Sequence, residues 1–213
     1  MKKKVDKLDF KKVFSSYKKY EKIPKDWELE RLDSFMDVNM GQSPKSETYN
    51  LQGKGLPFFQ GISEFGRVSP TPKNWCSSPI KIAEKDDILI SVRAPVGELN
   101  ISKEKCCIGR GIGSLRPIKA DPLYCFYLLK HFKYRFSEFT RVTTYDSINK
   151  GGIARVRFPY TDDIDEQKQI GRIINNVEIL IKKTDDSNSL YNLLQKGLMQ
   201  NLFSGKIRVK KTE

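Results

Sequence analysis

The side chains in this chain that could do chemistry are hydrogen-bonding groups set in loops. "GQSPKSETYN" supplies Gln42, Ser43, Lys45 and Ser46 around a proline, and "FFQG" presents Gln60 after two aromatics that read as core anchors. "SVRAPVG" sets Arg93 at a strand end before a proline turn, and "GRGIG" carries Arg110 between glycines. "TTYDSINKGG" adds Thr143, Thr144, Ser147, Asn149 and Lys150. Side-chain amides offer the paired donor and acceptor that match adenine, and arginine or lysine offers donors to guanine. Hydroxyls and lysines suit phosphates or base edges. Each has a structural alternative. Gln42 and Ser43 can simply build the turn before Pro44, Arg93 can pair with Glu98, and Arg110 and Arg116 can serve the fold.

Catalytic constellations are missing. "GRGIGS" (109–114) comes nearest to a phosphate-binding glycine loop, but Ser114 stands where the third glycine belongs and "LRPIK" does not start a helix. There is no G-x-x-x-x-G-K-[ST], no G-x-S-x-G and no Asn/Asp-Pro-Pro-Tyr run. His131, the one histidine, lies in an apolar helical stretch, and "EKDD" (84–87) reads as a charged turn before a strand. Cys76, Cys106, Cys107 and Cys125 have no Cys-x-x-Cys spacing, so neither a zinc site nor a disulfide framework is expected. Apolar runs such as "DILISV" are too short to cross a bilayer. "MKKKVDKLDF" has no apolar segment behind its charges, so a signal peptide is not expected, and a reduced, cytoplasmic setting is.

The elements that must position the loops can be read from periodicity. Phe10, Val13, Phe14 and Tyr17 fall at helical spacing and predict a short amphipathic helix within 8–21, ended at Pro24. From there to about 162, short β-like runs alternate with Gly, Pro, Asn and Ser, interrupted by the helical stretch 122–136. That pattern predicts a mixed α and β domain. From Ile170 the pattern changes. Ile170, Ile173, Val177, Leu180, Tyr191, Leu194 and Leu198 keep heptad phase, and Thr184 and Ser187 hold the matching positions between them. Either one long helix or a helical hairpin turning at Asp185–Asn188 would fit. A helix with such a seam needs a second helix.

Net charge is +13, unevenly spread. Residues 1–22 hold nine lysines against three acids, and 204–213 four basic residues against one acid. Residues 163–203, by contrast, hold five basic and six acidic residues. A basic body joined to a charge-balanced helix fits a polyanion-binding unit attached to an assembly element. The expected organisation is therefore a basic segment 1–22, an α/β domain 23–162, a long helix 163–203 and a basic tail 204–213.

Several stretches, in order, resemble one family. "IPKDWELERLDSF", "MGQSPKSETYN" and "GLPFFQG" resemble the opening of a target recognition domain. "DDILISVRAPVGELNIS" and "CCIGRGIGSLRP" resemble its middle, and "TTYDSINKGGIARVRFPY" its end. "IDEQKQIGRIINNVE" through "LLQKGLMQNLFSGKIRV" resembles the helix that follows. The family is the specificity subunits of type I restriction-modification systems, and the resemblance covers about 23–209. It implies a mixed α/β target recognition domain followed by a long coiled-coil-forming helix, in a non-catalytic DNA-recognition subunit. S-adenosylmethionine and ATP would belong to partner methyltransferase and restriction subunits, leaving no cofactor or metal here. The family's usual chain has two recognition domains and two antiparallel helices. This sequence has one of each, so it resembles half a specificity subunit: a homodimer through the helix would read a symmetric interrupted site, and a half that pairs with a different half, acts alone or is a remnant is the alternative. A coiled-coil assembly protein and a stand-alone DNA-binding regulator are the competing readings.

Overall fold

The short apolar runs of the sequence become the strands of several small sheets in a computed structural model that describes residues 10–15, 19–136, 147–204 and 206–207. In chain order the elements are β1 (Phe10–Ser15), β2 (Lys19–Pro24), β3 (Glu28–Arg31), α1 (Leu32–Phe35), β4 (Met36–Met40) and β5 (Tyr49–Asn50). β6 (Leu56–Phe59), β7 (Asn74–Cys76), β8 (Ile82–Ala83), β9 (Ile88–Ser91), β10 (Leu99–Ile101), β11 (Cys106–Ile108) and β12 (Ile112–Pro117) follow. Then come α2 (Pro122–His131), α3 (Lys150–Arg155), β13 (Arg157–Tyr160) and α4 (Ile164–Phe203). The chain divides into two units, residues 1–171 and 172–213.

In the first unit, one sheet has the order β10-β9-β12-β4 and another β5-β7-β6-β11-β8, while β13 pairs with β3. β9 lies between two antiparallel neighbours and all four of its residues are buried, which is why its first three, "ILI", read as a continuous apolar run, while the Ser91 hydroxyl is satisfied by Pro95 O and Glu98 N. The larger core joins Leu32, Phe35, Val38, Ile88, Ile90 and Leu115 to α2, whose Tyr124 to Leu129 are all buried. Burying each such side chain contributes roughly 1.5–3 kcal/mol. Asp121 caps α2 by accepting from Tyr124 N at 2.9 Å, with Pro122 pre-set at the first helical position.

Residues 10–15 and 19–24 pair as antiparallel strands, Phe10 opposite Pro24 and Ser15 opposite Lys19, instead of forming the helix expected over 8–21. The apolar residues that set the helical spacing are aromatic or β-branched, types that strands favour. A lone helix of that length is marginal without a packed face, and pairing satisfies the backbone. Within the 122–136 stretch, α2 ends at His131, and after a turn at 132–133 residues 134–136 are helical again.

α4 is one continuous helix, so the hairpin alternative at Asp185–Asn188 is not the one adopted. Its root belongs to the first unit. Asp163 Oδ1 accepts from the N–H groups of Asp165 and Glu166 at 2.9 and 3.1 Å. Gln167, fully buried, donates to Thr161 O at 2.7 Å and accepts from Asp121 N at 2.8 Å. Ile170 packs against the larger core, so it serves the domain and not the helix seam assigned to it from the heptad phase. The first compact unit thus runs to 171, because the helix's first turns complete the domain's packing. In the second unit Ile173, Val177, Leu180, Tyr191, Leu194 and Leu198 are all exposed. Among the described residues, no helix is long and apolar enough to cross a membrane.

Candidate nucleic-acid interface

The turn between β11 and β12 is where the loops meet. Gly41 N donates to Ile112 O at 2.9 Å and Gln42 N to Ile108 O at 3.0 Å, laying the 41–43 loop along the turn. Ser43 Oγ accepts from Arg110 N at 3.2 Å. From the other side, Gly109 N donates to Phe59 O at 2.8 Å, bringing Gln60 alongside. Val92 N donates to Gly111 O at 3.0 Å and Ile148 N to Val92 O at 2.9 Å, while Arg93 and Ser147 form an antiparallel bridge. Four segments far apart in sequence, 41–43, 59–60, 92–93 and 147–148, are thereby gathered around the turn through backbone groups.

Between them lies a cleft of about 700 Å³ lined by Arg93, Arg110, Ser147, Asn149 and Arg155, with Met40, Val92 and Ile148 as apolar walls and Gly151 and Gly152 at its edge. All three arginines are exposed, and among the described residues no carboxylate forms an ion pair with any of them. Asp33, the acid that feels Arg155, is already engaged. Hydrogen bonds from Arg31 at 2.9 and 2.6 Å pull its carboxyl below the ordinary value, and Arg155 adds only a minor attraction. A concave, cationic, hydrogen-bonding surface with some apolar wall can take a phosphate backbone and the edges of bases.

The structure sorts the residues expected to contact nucleic acid. Arg93, Arg110, Ser147 and Asn149 come together in the cleft, and Gln42, Ser43 and Gln60 flank the turn that carries Arg110. Asn149 is partly committed, since its Oδ1 caps α3 by accepting from Gly152 N at 2.8 Å. Lys150 lines a different cleft, beside Asp37, Glu84 and Asp87. Lys45 sits 3.9 Å from Glu47, and Ser46 opens a 3₁₀ turn, so neither lines the cleft. Thr143 and Thr144 lie outside the described residues.

Arg93 does not take Glu98, which receives Lys133 Nζ at 2.8 Å. Arg116, by contrast, is structural, donating to Asp87 at 2.8 and 2.9 Å. Arg155 was missed in the sequence. It lies inside the quoted run "TTYDSINKGGIARVRFPY", and nothing local separates it from Arg157, whose guanidinium donates to Leu29 O at 3.0 Å. Among the described residues, no group of three or more His, Cys, Asp or Glu could hold a metal ion.

Comparison with known proteins identifies the family and the fold. Residues 24–190 match the family described as type I restriction modification DNA specificity domain. The type I restriction enzyme MjaX specificity subunit of Methanocaldococcus jannaschii is 37% identical over 212 residues, covering 96% of this chain and 50% of that one. A structure described as the basis of complex assembly and conformational transition of the type I R-M system has a TM-score of 0.71 and 37% identity, over 84% of this chain and 45% of that one. The HsdS subunit from Thermoanaerobacter tengcongensis has a TM-score of 0.66 and 35% identity, over 87% and 46%. The chain spans about half the length of the relatives it matches. With its mixed α/β fold and long C-terminal helix, the chain belongs to the family of type I restriction-modification specificity subunits.

Proposed function

We propose that this chain reads one half of a bipartite DNA sequence for a type I restriction-modification complex and directs a separate methyltransferase subunit to it, with a restriction subunit where one is present. The observation that carries this is the cleft where Arg93, Arg110 and Arg155 converge with no described carboxylate to neutralise them. The chain itself performs no bond chemistry in this reading. S-adenosylmethionine and ATP act on the partner subunits, in the cytoplasm. The second half-site comes from a second copy, paired through the exposed α4 seam from Ile173 to Leu198. A two-fold pair of identical readers recognises a symmetric sequence interrupted by a gap that the helices set.

Genome-wide methylation in cells with and without this gene tests the reading. Deletion is expected to remove methylation from one interrupted motif, with the two half-sites related by symmetry. An asymmetric motif would replace the homodimer with a pair of different halves. An unchanged methylome, in cells that express this chain and its methyltransferase, would favour the stand-alone regulator or assembly protein.

A further inference from the structure

The three arginines of the cleft are not held alike. The main chain around Arg110 is braced from every side: Arg110 N to Ser43 Oγ at 3.2 Å, Gly109 N to Phe59 O at 2.8 Å, Ile112 N to Gly109 O at 2.9 Å and Val92 N to Gly111 O at 3.0 Å. Two glycines make this approach possible. A Cβ on Gly41 would lie 2.2 Å from Gly109 O and 2.4 Å from Ile112 O, and one on Gly111 would lie 2.2 Å from Gln60 O. The obstacles are backbone atoms, which cannot move aside cheaply. The 41–43 loop, the 60–61 loop and the Arg110 turn are therefore locked main chain to main chain. Each presents one exposed side chain able to form paired hydrogen bonds with a base edge: Gln42, Gln60 and Arg110.

The surroundings of Arg93 and Arg155 differ. Arg93 follows Val92, which is bonded to Gly111 O and Ile148 N, and it bridges the hydroxyl-bearing Ser147, while Arg155 ends the six-residue α3. Gly151 and Gly152 beside Arg155 expose backbone to the same cleft. Hydroxyls, backbone groups and cations suit phosphates, whereas side chains that pair hydrogen bonds, such as Gln42, Gln60 and Arg110, suit base edges.

We propose a division of labour within the cleft: Arg110 is the base-reading residue, a bidentate donor to a guanine, and Arg93 and Arg155 hold flanking phosphates. This rests on the DNA-recognition reading above, and it adds Arg155 to the interface.

The test is selection of the full chain against a randomised duplex library, then affinity for the selected site and its single-base variants across a salt series. Arg110→Ala is expected to lose roughly tenfold or more in discrimination at one base pair while keeping its salt slope. Arg155→Ala is expected to weaken binding to all sequences alike and to reduce the salt slope by about one. Arg110→Lys keeps the charge and guards against misfolding in the alanine variant. Base reading predicts that it too loses discrimination, because an ammonium lacks the planar fork. Uniform loss or unchanged discrimination in both Arg110 variants overturns the proposal, as does lost discrimination at one base pair in Arg155→Ala. A wild-type chain with no sequence preference would instead sink the recognition reading itself, and this proposal with it.

Discussion

Arg110 and Arg116 stand close together on one stretch of chain, yet only Arg116 is held by a carboxylate. Asp87 is 2% exposed, takes both guanidinium contacts and also accepts from Glu84 N at 2.9 Å. Removing the arginine would leave that buried carboxylate with the Glu84 N–H as its backbone donor and without its charge partner. Because Arg116 is itself half exposed, the cost falls below that of a fully buried pair. Arg116→Ala is therefore expected to destabilise the chain by roughly 2 kcal/mol, read as a lower denaturant midpoint with the salt slope of DNA binding unchanged. A stable variant with weakened DNA binding would mean Arg116 belongs to the interface. The sequence showed both arginines and could not sort them. Asp87 is 29 residues from Arg116, and Ser43 is 67 from Arg110, so the deciding partners are tertiary. The placement of Gln42, Gln60, Arg93 and Ser147 at or beside the cleft matches their reading as loop residues, while residue type alone left each its structural alternative. Arg155 was not legible in the sequence, since its distinction is the absence of a described carboxylate partner, which no local pattern records.

At the scale of elements, α4 was the most legible feature and the N-terminal strands the least. Heptad phase carries through Thr184 and Ser187 because the helix can absorb them: their hydroxyls bond back to Leu180 O and Lys183 O at 3.0 Å each. Periodicity could not reveal that Ile170 would be taken by the domain core, because the same phase serves both neighbours. Over residues 10–24 the spacing misled, since aromatic and β-branched residues fit a strand as well as a helix face. Beyond the root of α4, Ile173 and Leu180 are 65% and 62% exposed, and Tyr191 and Leu194 are 65% and 58%, far too much apolar surface for an isolated helix. Leu180→Asp combined with Leu194→Asp should abolish self-association, seen in sedimentation as a change from dimer to monomer. Near-ultraviolet dichroism from the domain should survive. A wild type that sediments as a monomer, or a double variant that stays dimeric, would count against the seam.

For the whole molecule, charge and apolar surface lie on different parts of the chain, and that separation can be tested with salt alone. Residues 163–203 carry five basic and six acidic side chains, so the proposed pairing of this helix would be held by apolar contact and gain little from net charge. The rest of the chain, with 34 basic and 20 acidic residues, carries a net +14 and, in the cleft, the arginines that would displace counterions from DNA. Each phosphate neutralised on duplex DNA adds about −0.9 to the slope of log affinity against log salt. Two phosphate-holding arginines per body therefore set a slope of about −1.8 or steeper for each half-site, and twice that for a dimer on both. Raising salt should strip the protein from DNA while its sedimenting mass stays that of a dimer, because burial of apolar surface is not screened. The opposite pair of results, DNA affinity flat in salt and a dimer that falls apart, would assign the charge to assembly. It would also leave the cleft without the partner its chemistry fits.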